Sequence, residues 1–228
     1  MNKNILETIN LKKSFFHKNG PIELFKNVNL KIKKGELVAL TGPSGSGKSS
    51  LLHLIALLDE PTSGKIFIES KNVSNFDDQQ KDNIRRNKIS IIFQDNNLLS
   101  DFTALENVIM PLIIKGESMS TAKEKAKKIL KQINIFNRAN HFPNEMSGGE
   151  QQRTAIARAL ISETDLILAD EPTGNLDHKT SENIYSYFLK LKKMNKAIIF
   201  ATHNRELANR ADYKLSIFNG VIKRVNAR

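Results

Sequence analysis

The sequence lacks cysteine and lacks any long apolar run. The absence of cysteine excludes disulfides and thiolate metal sites, and it suits a reducing compartment. No apolar run approaches the eighteen or so residues that span a bilayer. The first eight residues do not have the apolar core and small-residue cleavage site of a signal peptide. We therefore expect a protein that is soluble by itself.

Acidic residues are fewer than basic ones, 24 against 35, which gives a formal net charge of +11. Such a charge permits attraction to nucleic acid or to an anionic membrane face. The lysines are spread along the chain, however, so we expect no nucleic-acid partner. One cluster lies on a predicted helix and consists of Lys123, Lys125, Lys127, Lys128 and Lys131. A solvated helix face is the favoured interpretation of this cluster, and contact with anionic lipid headgroups is the alternative.

The sequence also lacks a tandem repeat, and its 228 residues suit one elaborated domain spanning 1–228. Short β-branched runs alternate with helical patterns, which predicts an α/β fold with a mainly parallel core sheet and an added antiparallel β layer. Core strands are predicted at 37–41, 89–93, 165–169 and 197–202, and antiparallel strands at 6–15, 24–32 and 65–69. Helices are predicted at 49–58, 103–114 and 121–133, the last opening with a capping box of Thr121 and Glu124. Residues 95–160 are expected to form an inserted helical subdomain.

A glycine-rich loop between a predicted strand and a predicted helix is the first motif with chemistry. Its residues are Gly42, Pro43, Ser44, Gly45, Ser46, Gly47, Lys48, Ser49 and Ser50. The glycines let backbone N–H groups curl around phosphates, and the following helix start adds its positive dipole end. Lys48 would contact the β and γ phosphates, and the Ser49 hydroxyl would bind Mg²⁺. The motif predicts a nucleoside triphosphate site, against the alternative of an accidental glycine-rich turn.

Two adjacent carboxylates, Asp170 and Glu171, follow the apolar run Leu166-Ile167-Leu168. Open α/β sheets bind ligands at the carboxyl ends of their strands. Asp170 would hold Mg²⁺ through water, and Glu171 would act as general base on the attacking water. In isolation, one of the two could instead be a helix cap before Pro172.

A second anion-binding helix start is predicted at Ser147, Gly148, Gly149 and Glu150. One nucleotide does not need two such helix starts. A head-to-tail pair of chains resolves this, because each copy would offer this second start to the γ-phosphate held by the other. The prediction is a homodimer that closes on a nucleoside triphosphate.

Together these motifs resemble the nucleotide-binding subunits of ATP-binding cassette (ABC) transporters over nearly the whole chain. The resemblance implies an ATPase with ATP and Mg²⁺ as cofactors. It implies that Gln94 contacts Mg²⁺ and water, that His203 contacts the γ-phosphate, and that Asn175 and Asp177 belong to a loop crossing the dimer interface. An aromatic ring would stack on adenine; Phe15 aligns best, with Phe16 as the neighbour. Met146 and Glu150 depart from the usual Leu and Gln of the signature motif.

Residues 53–64 and 98–112 resemble the branch of the family that contains lipoprotein-releasing ATPases and MacB-type exporters. This resemblance implies a peripheral protein on the cytoplasmic face of the bacterial inner membrane. Its partners would be LolC/LolE-like integral membrane permease subunits, with residues 101–112 at or near the contact, and its task would be the release of lipoproteins toward the outer membrane. The alternatives are a MacB-type exporter, a non-transport switch resembling the cell-division regulator FtsE, and a P-loop kinase or GTPase.

Overall fold

The computed structural model describes residues 4–18, 20–174 and 176–226, without the side chains of residues 16, 17 and 21. Two sheets organise these residues. The larger sheet has the strand order β10-β9-β3-β8-β7-β6, and the smaller has the order β2-β1-β4-β5.

The larger sheet is parallel except for β10, which pairs antiparallel with β9. Its strands are β3 (Leu37–Thr41), β6 (Ile89–Ile92), β7 (Leu166–Asp170), β8 (Ala197–Ala201), β9 (Tyr213–Phe218) and β10 (Val221–Asn226). Strands β7 and β8 are buried along their entire length, as expected for central strands covered on both faces. The predicted parallel core is confirmed: β3 has the predicted ends, and the ends of β6, β7 and β8 differ from prediction by at most one residue.

The smaller sheet is antiparallel throughout. It consists of β1 (Asn4–His17), β2 (Gly20–Lys33), β4 (Ser63–Ile68) and β5 (Lys71–Asn72). A hydrophobic core that includes Phe25, Leu54 and Leu215 joins this sheet and the helix after β3 to one face of the larger sheet. The predicted antiparallel layer is confirmed, and it lies beside the first turn of that helix.

Seven helices accompany the sheets in the described part of the chain. They are α1 (Lys48–Ile55), α2 (Asp78–Lys88), α3 (Ala104–Ile114), α4 (Met119–Gln132), α5 (Gly148–Leu160), α6 (His178–Lys193) and α7 (Arg205–Asn209). Helices α3, α4 and α5 enclose a separate hydrophobic cluster around Val108, Leu130 and Ala157. Other residues of α5, among them Ile156, belong to the core beneath the larger sheet. Helix α5 connects this cluster to the rest of the protein, and the subdomain predicted at residues 95–160 remains a prediction.

The predicted start of α4 is wrong. The helix begins at Met119, and its N-cap is Ser118, whose side chain accepts a hydrogen bond from the backbone N–H of Thr121. Thr121 therefore lies inside the first turn and cannot cap it with Glu124. A capping box forms instead at α3, between Thr103 and Glu106.

The predicted end of α1 is also too late. Leu57 adopts a left-handed backbone with φ of 58°. The N–H of Leu58 donates to the carbonyl of His53, which closes the helix with the long hydrogen bond of a Schellman-type end. Ala56 and Leu57 remain in the core after the helix has ended, which extends the apolar pattern, whereas Leu58 is 47% exposed.

The lysine cluster lies on the solvent side of α4, as predicted, since the buried residues of this helix are Ala122, Ala126 and Leu130. Lys125 pairs with Glu117, and the Lys131 ammonium lies over the Phe136 ring. Across the described residues, none of the helices has the length and apolarity needed to cross a membrane.

Candidate functional site

A cavity of about 300 Å³ lies at the carboxyl ends of the parallel strands. Its walls come from the loop after β3, the ends of β7 and β8, the residue after Phe93, and the antiparallel layer. The lining residues are Phe15, Leu24, Ser44, Gly45, Gly47, Lys48, Ser49, Ser50, Gln94, Asp170, Glu171 and His203. The structure therefore brings together most of the residues that the sequence assigned to one nucleotide site.

The loop between β3 and α1 requires glycine at two positions, Gly42 and Gly47, where a side chain would clash with neighbouring atoms. A Cβ at Gly42 would lie 2.6 Å from Ser46 Oγ and 2.7 Å from the carbonyl oxygen of Ile217. Gly47 has a φ of 96° and is the N-cap of α1, where no described side chain caps the helix. Because the first-turn N–H groups have no partner within a helix, this start can receive an anion from the cavity.

The Lys48 ammonium lies inside this loop. Its Nζ donates to the carbonyl oxygens of Gly42 at 3.2 Å and Pro43 at 3.3 Å, and it lies 3.3 Å from His203 Nε2. The residue is only 7% exposed. A buried cation that contacts carbonyl oxygens and an imidazole suits an anionic ligand, because a phosphate would form charge-assisted hydrogen bonds with it.

The two carboxylates stand at the end of β7. Asp170 is the last residue of the strand and is 7% exposed. Glu171 has a φ of 45°, a strained value for a non-glycine residue, and its N–H donates to the carbonyl of Ala201 at 3.0 Å. The helix-cap alternative is wrong, since α6 starts at His178 and is capped by Asp177.

Glu171 and His203 both line the cavity and are in contact with each other. Glu171 Oε2 accepts a hydrogen bond from the backbone N–H of His203 at 3.3 Å, and Oε1 lies 3.4 Å from His203 Nε2. Burial raises the pKa of the Glu171 carboxyl, and the hydrogen bond from the His203 backbone opposes this only in part. A higher pKa makes the carboxylate a stronger base, which suits activation of a water molecule.

Ser49, Gln94 and Asp170, the residues assigned to the metal, all line this cavity. They offer hydroxyl, amide and carboxylate oxygens. Mg²⁺ prefers such hard oxygen ligands and usually keeps several waters, so one carboxylate with neutral oxygens is a suitable set. The donor chemistry fits the ion that the sequence predicts.

Phe15 projects from β1 at the mouth of the cavity and is 44% exposed. The Lys13 ammonium lies 4.9 Å from the centre of its ring. An exposed ring at the edge of a phosphate-binding loop is available to stack on a base. The side chain of Phe16 lies outside the described residues. Sequence reasoning did not single out Leu24, which also lines the cavity, because it belongs to no motif and only the fold brings it next to Gly47.

The signature residues Ser147, Gly148, Gly149 and Glu150 are not among those lining the cavity. They form the exposed start of α5, where Ser147 and Glu150 make a reciprocal capping box. Gln151 holds the preceding turn, because its Nε2 donates to the carbonyls of Pro143 and Met146. This placement is compatible with the prediction that they face a second copy of the chain.

The Glu150 carboxylate is engaged within its own chain. Oε1 accepts from Arg138 Nε at 2.8 Å, and Oε2 accepts from the Ser147 N–H at 2.8 Å. The sequence places Glu150 among the nucleotide-contacting residues, but in the structure its two carboxylate oxygens contact protein donors. Sequence reasoning also missed Arg138.

Two further contacts frame the site. Gln152, in the first turns of α5, donates from Nε2 to the carbonyl of Pro172 at 3.4 Å, and both residues are buried. Asp177 accepts hydrogen bonds from the N–H and the hydroxyl of Thr180, so within one chain it acts as a helix cap. Asn175 lies outside the described residues. The assignment of Asp177 to the nucleotide remains a prediction.

The fold and this cavity define a P-loop nucleotide-binding protein, because a glycine-rich loop with a buried lysine joins β3 to an uncapped helix start and two carboxylates stand at the end of β7 in the same sheet. The family model described as ABC transporter matches residues 25–174, and the chain belongs to this family.

The chain is similar over nearly its full length to other members of the family. It is 47% identical to the lipoprotein-releasing system ATP-binding protein LolD of Rickettsia bellii, over 94% of this chain and 96% of that protein. It is 43% identical to LolD of Legionella pneumophila, over 96% and 97%. Among solved structures, it resembles the dimeric post-hydrolysis state of the ATP-binding cassette MJ0796 bound to ADP and Pi, with a TM-score of 0.94, 40% identity, and coverage of 98% and 99%.

Proposed function

We propose that this protein is the ATP-hydrolysing subunit of an ABC transporter and works as a clamp that two copies close around ATP. The observation that carries the proposal is the division of the motifs. Lys48, Asp170 and Glu171 meet at one cavity, whereas the start of α5 with Ser147 lies on the exposed surface outside it. A second copy is needed to bring the two halves together.

Within each site, the loop of residues 42–49 and the start of α1 would bind the triphosphate, with Lys48 on the β and γ phosphates. Ser49, Asp170 and Gln94 would hold Mg²⁺, which supplies charge neutralisation between the phosphates. Glu171 would accept a proton from the attacking water. His203 would position that water and the γ-phosphate, since it already contacts both Glu171 and Lys48.

The variant Glu171→Gln tests this mechanism. It keeps the size and shape of the side chain but removes the base, so we expect ATP binding to persist and turnover to fall by about 10²- to 10⁴-fold. Because closure would no longer be followed by hydrolysis, an ATP-dependent dimer should accumulate in sedimentation or size-exclusion measurements. Glu124→Gln, on the exposed face of α4, is the matched control. Turnover of Glu171→Gln at the parental rate would refute the role of the base.

We further propose that the transporter releases lipoproteins from the inner membrane toward the outer membrane, with LolC/LolE-like permease subunits as partners and the ATPase bound at the cytoplasmic face. The support is the similarity to proteins named LolD over almost the whole chain. A groove of about 580 Å³ between α2, β6, α3 and α5 would receive the cytoplasmic segment of the permease.

This groove combines exposed apolar side chains with an excess of positive charge, because three arginines and one aspartate line it and Asp82 pairs with Arg85. Leu99 is 44% exposed and Ile114 is 56% exposed, and Arg86 lies at the rim. Arg158 is half-buried and donates to the carbonyls of Asn96 and Asn97, and burial lowers its pKa. A segment with apolar and acidic side chains would be complementary. Of the predicted contact region 101–112, Met110 and Pro111 line the groove, whereas Val108 and Leu112 are buried.

Affinity purification of the full chain from its native membranes tests the partner. We expect a lipoprotein-release permease to copurify, and we expect Arg86→Glu to reduce its recovery. Lys128→Glu makes the same charge change on the outer face of α4 and should not. Recovery of an exporter of the MacB type or of a cell-division complex would refute lipoprotein release while leaving the ATPase proposal intact.

A further inference from the structure

The start of α5, which would contact the nucleotide held by a second copy, contains a negative charge at an unfavourable position. Glu150 lies in the first turn of α5, and its carboxylate accepts a hydrogen bond from the backbone N–H of Ser147 at 2.8 Å. A helix start stabilises one carboxylate, because its dipole is positive there. Under the proposed function, however, the γ-phosphate of the partner's ATP approaches the same turn. Two anions at one helix start would repel each other.

Arg138 removes this conflict. It belongs to the 3-10 turn Phe136–Arg138, and its Nε donates to Glu150 Oε1 at 2.8 Å. This hydrogen bond is the main cause that lowers the pKa of Glu150, so the carboxyl stays ionised and forms a pair of zero net charge with the guanidinium. The carboxyl side chain is 16% exposed and the guanidinium side chain is 36% exposed.

Arg138 is itself fixed in place. Its Nη1 donates to His141 Nε2 at 3.2 Å. Its backbone carbonyl accepts from the N–H of His141, and the carbonyl of His141 accepts from the N–H of Ala104 at the start of α3. The guanidinium therefore has a defined position relative to the helical part of the protein and can impose that position on Glu150.

The same arrangement leaves the Ser147 hydroxyl available as a donor. Ser147 Oγ accepts from the backbone N–H of Glu150 at 3.4 Å, which uses an oxygen lone pair and not the hydroxyl hydrogen. With Glu150 turned back onto the Ser147 backbone and neutralised by Arg138, the hydroxyl and the neighbouring glycine N–H groups can meet a phosphate.

We propose that Arg138 is a positioning residue of the nucleotide site, which neutralises Glu150 and orients the start of α5 so that this helix accepts the γ-phosphate held by a second copy. This inference rests on the proposed function. It assigns to Arg138 a role in ATP-dependent closure, in addition to the small contribution that a partly exposed ion pair makes to folding.

The test is a double-mutant cycle in the full-length protein with Arg138→Met, Glu150→Gln and the double variant. Arg138→Met leaves the Glu150 charge uncompensated, and repulsion between like charges at an interface should weaken the ATP-dependent dimer by about tenfold or more. The affinity of the monomer for ATP should not change, because Lys48 and α1 are untouched. Glu150→Gln in the Arg138→Met background removes the charge and should restore dimer formation to within about threefold of the parent.

Two further variants complete the design. Arg138→Lys keeps the positive charge and should retain most dimer formation, which separates the charge from the shape of the side chain. Lys125→Met breaks the ion pair with Glu117 in the same helical part, at a distance from Ser147 in the sequence, and serves as the control. Thermal unfolding of each variant shows whether it is folded.

Unchanged dimer formation in Arg138→Met would overturn the inference. Failure of Glu150→Gln to rescue Arg138→Met would also overturn it, since a purely structural role would not be repaired by removing a charge. If the parental protein and Glu171→Gln both bind ATP but neither dimerises, the proposed clamp itself is wrong. The two failures are therefore distinguishable.

Discussion

Asp165→Asn should destabilise the protein through the loss of a charge network that joins its layers. Asp165 immediately precedes β7 and accepts from Lys34 Nζ at 2.6 Å and from Lys196 Nζ at 2.7 Å. Lys34 also pairs with Glu69, at the end of β4. One carboxylate thus links the central sheet, the turn before β3 and, through Lys34, the antiparallel layer.

The magnitude follows from the pKa of Asp165. Burial alone would raise this pKa, but the hydrogen bonds from Lys196 and Lys34 outweigh burial and lower it from 3.8 to about 2. Such a shift corresponds to at most about 2.5 kcal/mol of folding free energy at neutral pH. Since the carboxylate is 27% exposed and solvent screens the pairs, we expect a loss of about 1–2 kcal/mol, or a fall in Tm of about 4 °C.

The pH dependence gives the sharper test. A depressed pKa in the folded state stabilises the protein fully above the unfolded value of 3.8, and this contribution is lost as the pH falls through about 2. The difference in urea-unfolding free energy between the parent and Asp165→Asn should therefore be largest at pH 7 and smaller at pH 3. Asp101→Asn, on an exposed carboxylate that accepts from Ser100, is the matched control. An equal loss at both pH values would refute the electrostatic origin.

Three other predictions concern the nucleotide site. Lys48→Ala should weaken ATP binding about 10- to 100-fold by removing a charge-assisted contact, as measured by nucleotide titration, and Lys65→Ala should not; unchanged affinity would exclude the phosphate contact. Gly45→Ala should cost about 1–2 kcal/mol in unfolding experiments because of its left-handed backbone. Gly47→Ala should lower the free energy of unfolding by about 1–3 kcal/mol more than Gly45→Ala does, since its Cβ would lie 2.8 Å from the buried ring of Phe25. Equal losses in the two variants would contradict this packing argument. Because burial raises the pKa of Glu171, turnover should fall on acidification with a midpoint above the ordinary value of 4.5. If the protein stays folded and its turnover does not change at lower pH, Glu171 is not the base.

The nucleotide site was largely predictable because its motifs are local. Lys48 follows β3 after the glycine-rich loop, and Glu171 directly follows β7, so both lie at the carboxyl-end edge of one parallel sheet, where the two motifs can meet. The sequence could not supply the order of those strands, in which β8 lies between β3 and β7. His203 reaches the cavity because it follows β8.

The features that escaped prediction have weak periodicity or depend on contacts across the chain. Helix α2 contains no buried residue, so it has no apolar stripe to reveal it. Ser118, Ser120 and Thr121 are all acceptable caps by residue type, and only the path of the chain selects Ser118. The contact of Arg138 with Glu150 joins a 3-10 turn to a separate helix, and no helical spacing rule anticipates it.

The buried hydrogen bond from Gln152 to the Pro172 carbonyl has a consequence for how many independent switches a pair of chains contains. Gln152 belongs to the helix whose start would contact one nucleotide, and Pro172 adjoins Glu171, which would act on the other. Within each chain, this one hydrogen bond then connects the binding sites of two ATP molecules. In a symmetric pair with two such connections, loss of one γ-phosphate would affect both nucleotide sites. The two sites would then open and close together and not independently.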